Sequence, residues 1–307
     1  MADRLENLER VVITGALGNL GWKLLCHLAH NRHVRQIFGL DKAAPNRSQQ
    51  LFLDNFPEKK RIEMVPCDLA DWHDSRWQNV LLQSTAVVHF AARNPFPDAN
   101  WQEASDSLDM TNNVVLATAD CPSIRRFVFA SSNHVMGRYL DPPLADSIGP
   151  GELTTSLPPA VGATWKTEKQ HFNSTIYAVP KIAGERLCKA QSAKCAGRSS
   201  FVAVRIGWCQ PGENEKSSLS GAGTPKLAEQ QAVGSDTDRA ERWFREMWLS
   251  NRDFTHLFER ALIADARAWQ NGFALVNGMS ANTGMKWSLA EARHLLGYQP
   301  KDDVKAE

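Results

Sequence analysis

No run of apolar residues approaches the roughly 20 needed to cross a bilayer as a helix, so a transmembrane helix is excluded. Neither sign of charge is in excess: 35 Lys and Arg stand against 34 Asp and Glu, for a formal net charge of +1. The charges are mixed along the chain, without a basic stripe or polybasic patch, so neither nucleic acid nor a membrane surface is an expected partner. Six cysteines (26, 67, 121, 188, 195 and 209) show no CxxC spacing and no grouping with histidine. Several lie within apolar patterns, which points to reduced, buried thiols rather than disulfides, and no metal site is expected. Residues 1–10 are charged and lack a signal-peptide core, so the expected location is the cytoplasm. No internal repeat is present.

What remains is the composition of an ordinary globular protein, 43% hydrophobic and 22% charged over 307 residues. That length buries a substantial core, as one large domain or as one domain with a smaller lobe.

The most informative stretch is TGALGNLG, residues 14–21, placed directly after the apolar run Val11-Val12-Ile13. The run reads as a buried strand and residues 19–30 as a helix. Glycines at such a junction permit a tight turn and close approach of backbone N–H groups to a pyrophosphate, favoured by the positive end of the helix dipole. Gly15, Leu17, Gly18, Asn19, Leu20 and Gly21 are therefore candidate cofactor residues. Taken alone, a glycine-rich turn also serves simple packing. A second strand, residues 36–40, ends at Asp41, about twenty residues on, where a carboxylate accepts hydrogen bonds from adenosine ribose hydroxyls and repels a 2′-phosphate. NAD is thus the expected cofactor, with Lys42 and Arg47 near enough in sequence to soften the preference over NADP. A third strand, residues 61–65, leads to Asp68 and Leu69, candidates for the adenine; a fourth, 86–90, ends in Phe90, Ala91 and Ala92. Small residues there let a cofactor lie against the carboxyl edge of the sheet.

Strands alternate with helices to about residue 206: further helices at 72–83, 101–119 and 177–196, further strands at 126–130 and 201–204. This alternation predicts an α/β, Rossmann-like, doubly wound parallel sheet. Residues 1–206 form the cofactor domain in this reading, and 207–307 a small C-terminal substrate lobe, with a strand at 273–277 returning to the sheet. Residues 140–175 and 212–238 read as long loops, the second like a lid; helical periodicity runs from 240 to 264.

Tyr177 and Lys181 stand at i and i+4 on one helix, so they share a face. Bringing a phenol from its usual pKa of about 10 to near 7 takes roughly 4 kcal/mol of phenolate stabilisation. An ammonium about 4 Å away supplies an interaction of that order. Tyr177 is thus a candidate general base, with Lys181 its tuner and a partner for the nicotinamide ribose. Ser132, just past the fifth strand, is expected at the same sheet edge to orient the reacting oxygen. Turn serines are common after strands; glycine turn, terminal acid, serine and Tyr/Lys in one order are not.

TGALGNLG, Asp41, CDLAD, HFAA, ASSNHVMG, YAVPK and the closing GYQPKDDV together resemble the extended branch of the short-chain dehydrogenase/reductase superfamily, over nearly the whole chain. Within it the sequence is most similar to the uronate dehydrogenases, which oxidise C1 of a hexuronic acid with NAD. That likeness rests on CDLAD, residues 129–137, Arg205-Ile206-Gly207 with Cys209 and Pro211, Trp248-Leu249-Ser250 before Asp253-Phe254, and the ending from Leu296. The resemblance implies that Ser132, Asn133, His134 and Tyr177 line a sugar site and that Asn94 contacts substrate. It also implies an arginine on the sugar's acid group, here Arg239, Arg242 or Arg245, of which Arg242 is favoured; each also reads as a solvated helix face.

Long segments after Ser132 and after Pro211, Pro180 before Lys181, and Arg93 beside the sugar site depart from that pattern. The implied reaction is NAD-dependent oxidation of the anomeric hydroxyl of an acidic aldohexose, carboxylated or sulfonated at C6, to an aldonolactone. The alternatives are a nucleotide-sugar epimerase or dehydratase and a non-catalytic NAD-sensing protein. A homo-oligomer is expected to pair through helices 101–119 and 177–196.

Overall fold

The computed structural model describes residues 9–58, 61–93, 99–166, 171–219 and 237–306. Short runs of β-branched and other apolar residues form its central strands: β1 (Arg10–Thr14), β2 (Gln36–Asp41), β3 (Ile62–Pro66), β4 (Ala86–His89) and β5 (Arg126–Ser132). A short antiparallel hairpin, β6 (Thr164–Lys166) and β7 (His171–Asn173), follows, then β8 (Ser200–Ile206) and β9 (Phe273–Gly278). Among the described residues, seven strands make one sheet in the order β3-β2-β1-β4-β5-β8-β9, and every pairing in it is parallel. Strand order reverses between β1 and β4, and open α/β sheets carry a ligand crevice at such a point.

The helices are α1 (Asn19–Ala29), α2 (Arg47–Asn55), α3 (Ser75–Leu82), α4 (Trp101–Asp120), α5 (Thr175–Lys194), α6 (Thr237–Glu246) and α7 (Asn251–Ile263). Apolar residues from α1 and α7 pack on one face of the sheet, with Leu24, Leu28, Phe254, Phe258 and Leu262 buried. Those of α3, α4 and α5 pack on the other, with Trp77, Val114, Val115 and Cys188 buried. A third core, of Met136, Tyr139, Trp165, Phe172, Trp243, Phe244 and Trp287, supports the rim of the crevice.

The architecture is the doubly wound α/β fold that the sequence predicts, and the segment near 273–277 joins the sheet beside β8. Three details differ. The 240–264 stretch is two helices, because the Ser250 side chain caps Asp253 N–H and restarts the chain after Trp248. The 140–175 stretch is not a plain loop: Trp165 pairs with Phe172 across the hairpin, their rings stacked at 5.0 Å. Finally, α5 begins two residues before Tyr177, so Pro180 lies beyond its first turn and removes one intrahelical hydrogen bond.

All six cysteines are free thiols, four buried and two partly so. Among the described residues no helix is long and apolar enough to cross a membrane.

Candidate functional site

β1 delivers the chain to Gly15 at φ +63°, a left-handed conformation that glycine adopts without strain. A Cβ at Gly15 would lie 2.9 Å from the Ala91 nitrogen, and one at Gly21 would lie 2.1 Å from the Gly15 carbonyl oxygen. Both glycines therefore keep the turn, the β4 edge and α1 in closer contact than any side chain permits. Gly18 caps α1 without a side-chain bond, which leaves first-turn N–H groups for an anion.

Asp41 closes β2 and accepts hydrogen bonds from Leu17 N–H (2.9 Å) and Ala43 N–H (3.0 Å). Gln49 of α2 supports the same turn by donating to the Leu17 carbonyl at 2.9 Å. The sequence reading missed α2, although Asn46-x-x-Gln49 carries the capping-box pattern that the structure forms. Lys42 is paired with Asp68 at 2.6 Å, and that bond holds the Asp68 carboxyl below its ordinary range.

At the other end of the crevice Ser132 closes β5, in register with Ile206 of β8. Its hydroxyl oxygen accepts the His134 N–H at 3.2 Å, and its side chain hydrogen-bonds to the phenol of Tyr177. The His134 ring stands edge-on to Tyr177 at 5.5 Å, with Nδ1 2.7 Å from the Ser174 hydroxyl. Burial lowers the His134 pKa to about 3, so the imidazole is neutral. Asn133 donates to the Ile206 carbonyl at 3.0 Å and so ties the two strand ends together. Ser174 is a residue that sequence reasoning did not find, since only the hairpin fold brings it to His134.

Lys181 is buried and its ammonium donates to the Ala130 carbonyl at 2.9 Å. This differs from the expected role of lowering the tyrosine pKa. Here burial raises the Tyr177 pKa, and the opposing influence is the Ser132 hydrogen bond. Burial also lowers Lys181, to about 8, because an ammonium out of water is costly.

Arg93, a departure from the family pattern, lines the crevice, 3.6 Å from Asp106, which also lines it. Arg242, the arginine favoured for the acid group, does not line the crevice: it is exposed on α6, where its charge acts on Glu246. Arg239 pairs with Asp141 and Arg245 with Glu241. The helix presents these arginines away from the crevice because Trp243 and Phe244 take its inward face. Asn94 lies outside the described residues, as does most of the 212–238 stretch.

The start of that stretch is well anchored. Asn214, at φ +58°, donates to the Leu249 carbonyl at 2.7 Å and accepts from the Trp248 indole at 3.1 Å. Trp208 also lines the crevice, edge-on to Phe244 at 5.6 Å. Neither residue has a local sequence signature.

These parts line one continuous cleft of about 1640 Å³. Gly15, Leu17, Gly18, Asn19, Leu20, Gly21, Asp41, Asp68, Leu69, Phe90, Ala91 and Ala92 line one end and the middle; Arg93, Ser132, Asn133, His134 and Tyr177 line the other. The glycine turn and its terminal carboxylate fit a dinucleotide: Gly15 lets the turn lie against the Ala91 backbone, and Asp41 lines the same cleft at the end of β2.

The profile of the NAD dependent epimerase/dehydratase family matches residues 11–209. L-arabinose 1-dehydrogenase (NAD(P)(+)) of Haloferax volcanii is 29% identical over 96% of this chain and 98% of its own length. The NAD-dependent glucose-6-phosphate dehydrogenase of the same organism is 28% identical over 96% and 94%. A uronate dehydrogenase of Agrobacterium fabrum is 27% identical over 97% and 87%. A solved structure of a mutated uronate dehydrogenase shares the fold, with a TM-score of 0.64 and 23% identity over 97% of this chain and 83% of that one.

Proposed function

The chain belongs to the NAD dependent epimerase/dehydratase family, and from that premise we propose that it is an NAD-dependent oxidoreductase acting on the anomeric carbon of an aldose. The observation that carries this reading is the continuous cleft joining the glycine turn and Asp41 to the hydrogen-bonded Ser132–Tyr177 pair. Three relatives named for sugar oxidation, each matched over nearly the full chain, support it.

NAD, when bound, supplies the acceptor for the hydride leaving C1. The turn at residues 15–21 would hold its pyrophosphate, Asp41 the adenosine ribose, and Asp68 with Leu69 the adenine side. Phe90, Ala91 and Ala92 would lie beneath it, and Tyr177 with Lys181 would meet the nicotinamide ribose. In this reading Ser132 orients the C1 hydroxyl and Tyr177 takes its proton. Ser132 stabilises the ionised phenol, since a donated hydrogen bond favours the charged form. Lys181 is held at the end of β5 by the Ala130 carbonyl, and its proposed contact is with the nicotinamide ribose rather than with the phenol. Neutral His134 and Asn133 meet the remaining hydroxyls of the sugar.

The finer reading is an aldohexose with an acid group at C6, carboxylate or sulfonate, giving an aldonolactone. Arg93 is our candidate for that group, in place of Arg242, because it lines the cleft. We also take α4 and α5 as the pairing surface of a homo-oligomer; Trp101 on α4 is 62% exposed.

The test is formation of NADH, followed by absorbance, over hexuronates, 6-sulfonated and 6-phosphorylated glucose, and neutral aldoses. Stoichiometric NADH with one acidic sugar supports the reading. Tightly retained NADH without net production would favour an epimerase. Inertness toward every aldose, with NAD bound, would leave a sensing protein.

A further inference from the structure

Lys23 sits on α1, two residues past Gly21, yet its partners belong to the loop after β8. Its ammonium donates to the Gln210 carbonyl at 2.6 Å and the Gly212 carbonyl at 3.1 Å, and bonds the Asn251 side chain at the start of α7. It also lies 3.7 Å from the Cys209 sulfur. One turn earlier on the same helix, Asn19 donates to the Cys209 carbonyl at 2.8 Å. Cys209, Gln210, Pro211, Glu213 and Asn214 all line the cleft.

An ammonium has three protons and no acceptor capacity, and here three oxygens from three residues receive them. The two carbonyls belong to an irregular segment without a strand ladder to satisfy them. Gln210 is buried, so its carbonyl needs a partner and loss of the cation leaves it without this one, whereas the exposed Gly212 carbonyl keeps the Asn251 amide at 3.0 Å. Asn214 fixes the loop from the opposite side, by accepting Gln210 N–H at 2.9 Å and donating to Leu249. Without Lys23, residues 210–212 lose their direct bonds to the cofactor helix, which then holds this segment only through Asn19 and the Cys209 carbonyl.

We propose that Lys23 is a positioning residue that fastens residues 209–212 to α1 as a fixed wall of the cleft, so that sugar binding depends on a side chain carried by the cofactor-binding helix. This rests on the reading of the cleft as an aldose site.

Lys23→Met keeps the stem and removes the donor, and Lys23→Arg keeps the cation. With the aldose from the NADH screen, Lys23→Met should raise its KM by about fivefold or more while kcat changes by less than about threefold. The Kd for NAD, from quenching of tryptophan fluorescence, should stay within about twofold, and Lys23→Arg should bring the sugar KM back to within about twofold of wild type. Amide hydrogen exchange, read by mass spectrometry, should quicken about tenfold or more in residues 207–218 of Lys23→Met and stay unchanged in β1 and β4. The proposal is overturned by wild-type exchange in 207–218, by an unchanged sugar KM despite faster exchange, or by NAD Kd and sugar KM rising together. Should wild type reduce NAD with no aldose, the substrate reading has failed, and the exchange measurement still decides the tether. Lys23→Gln carries the same expectations if Lys23→Met does not fold.

Discussion

The two ends of the cleft are built in opposite ways. The cofactor end comes from the first strands and the turns that leave them: the Gly15 carbonyl accepts Gly18 N–H, and Leu17 N–H donates to the Asp41 carboxylate, all within about one βαβ unit. The end proposed for substrate gathers Ser132 from β5, Tyr177 from the start of α5, and the loop after β8, with Ser174 bonded to His134, and closes them on a separate aromatic core. A site made of local turns tolerates little variation, because Gly15 and Gly21 are each fixed by a contact too short for any side chain. A site made of distant loops can be re-shaped loop by loop, which is how one fold serves many substrates.

The comparison would be broken most forcefully at Tyr177, where the two ends meet. Tyr177→Phe should lower kcat about a thousandfold, a typical contribution of general acid–base catalysis, while NAD Kd stays within about twofold. Isothermal titration with NAD beside the NADH assay checks both halves, and activity near wild type would remove Tyr177 from the chemistry.

Asp41→Asn acts on the cofactor end alone. Removing its charge should shift the ratio of kcat/KM for NAD over NADP by roughly tenfold to a hundredfold toward NADP. The KM for sugar should not follow; if it does, the ends are less separate than their construction implies.

Arg93→Ala and Arg242→Ala sharpen the comparison at the substrate end. Loss of a charge-assisted contact at Arg93 should raise KM for an acidic sugar about tenfold and leave a neutral aldose unaffected. Arg242→Ala should stay within about twofold, since that side chain is exposed on α6. The reverse order of effects would return the acid group to the helix.

The smallest effect expected is on the acid limb of the activity profile. His134, held near pKa 3 by burial, should add no inflection near 6.5 to kcat/KM, as a His134→Gln comparison would show. Its titration appears in stability instead. The folded pKa lies below the unfolded value of about 6.5, so the unfolded chain binds more protons between them. Stability is therefore complete above 6.5 and is lost as pH falls toward 3, with buried His89 contributing in the same direction. Thermal melting between pH 7 and 4 measures it, and a flat Tm would refute the buried, neutral assignment.

Much of the cofactor end was legible in the linear chain. The apolar strands, the glycine turn and the terminal Asp41 each follow from local periodicity or from spacing along the chain, which the backbone preserves on folding. The Ser132–Tyr177 pair was legible for the same reason, since a strand end and a helix start are local features even when they meet across 45 residues of chain. The two readings of the α6 arginines, acid-group partner or solvated face, stayed open in the linear chain because helical spacing shows which residues share a face, not which face the core takes. Trp243 and Phe244 decided that, and they turned Arg242 to solvent.

The amino-acid order thus determined the α/β fold, the glycine turn and the placing of Ser132 and Tyr177 at a strand end and a helix start, because those depend on backbone conformations that neighbouring residues select. Only the tertiary structure decided that Lys181 rests on the Ala130 carbonyl, that Ser174 reaches His134, and that Lys23 holds the loop after β8. Each of those bonds joins groups 40 to 187 positions apart. At such separations the partner is chosen by how helices and loops pack on the sheet, and by the cost of leaving a buried donor or carbonyl unmatched.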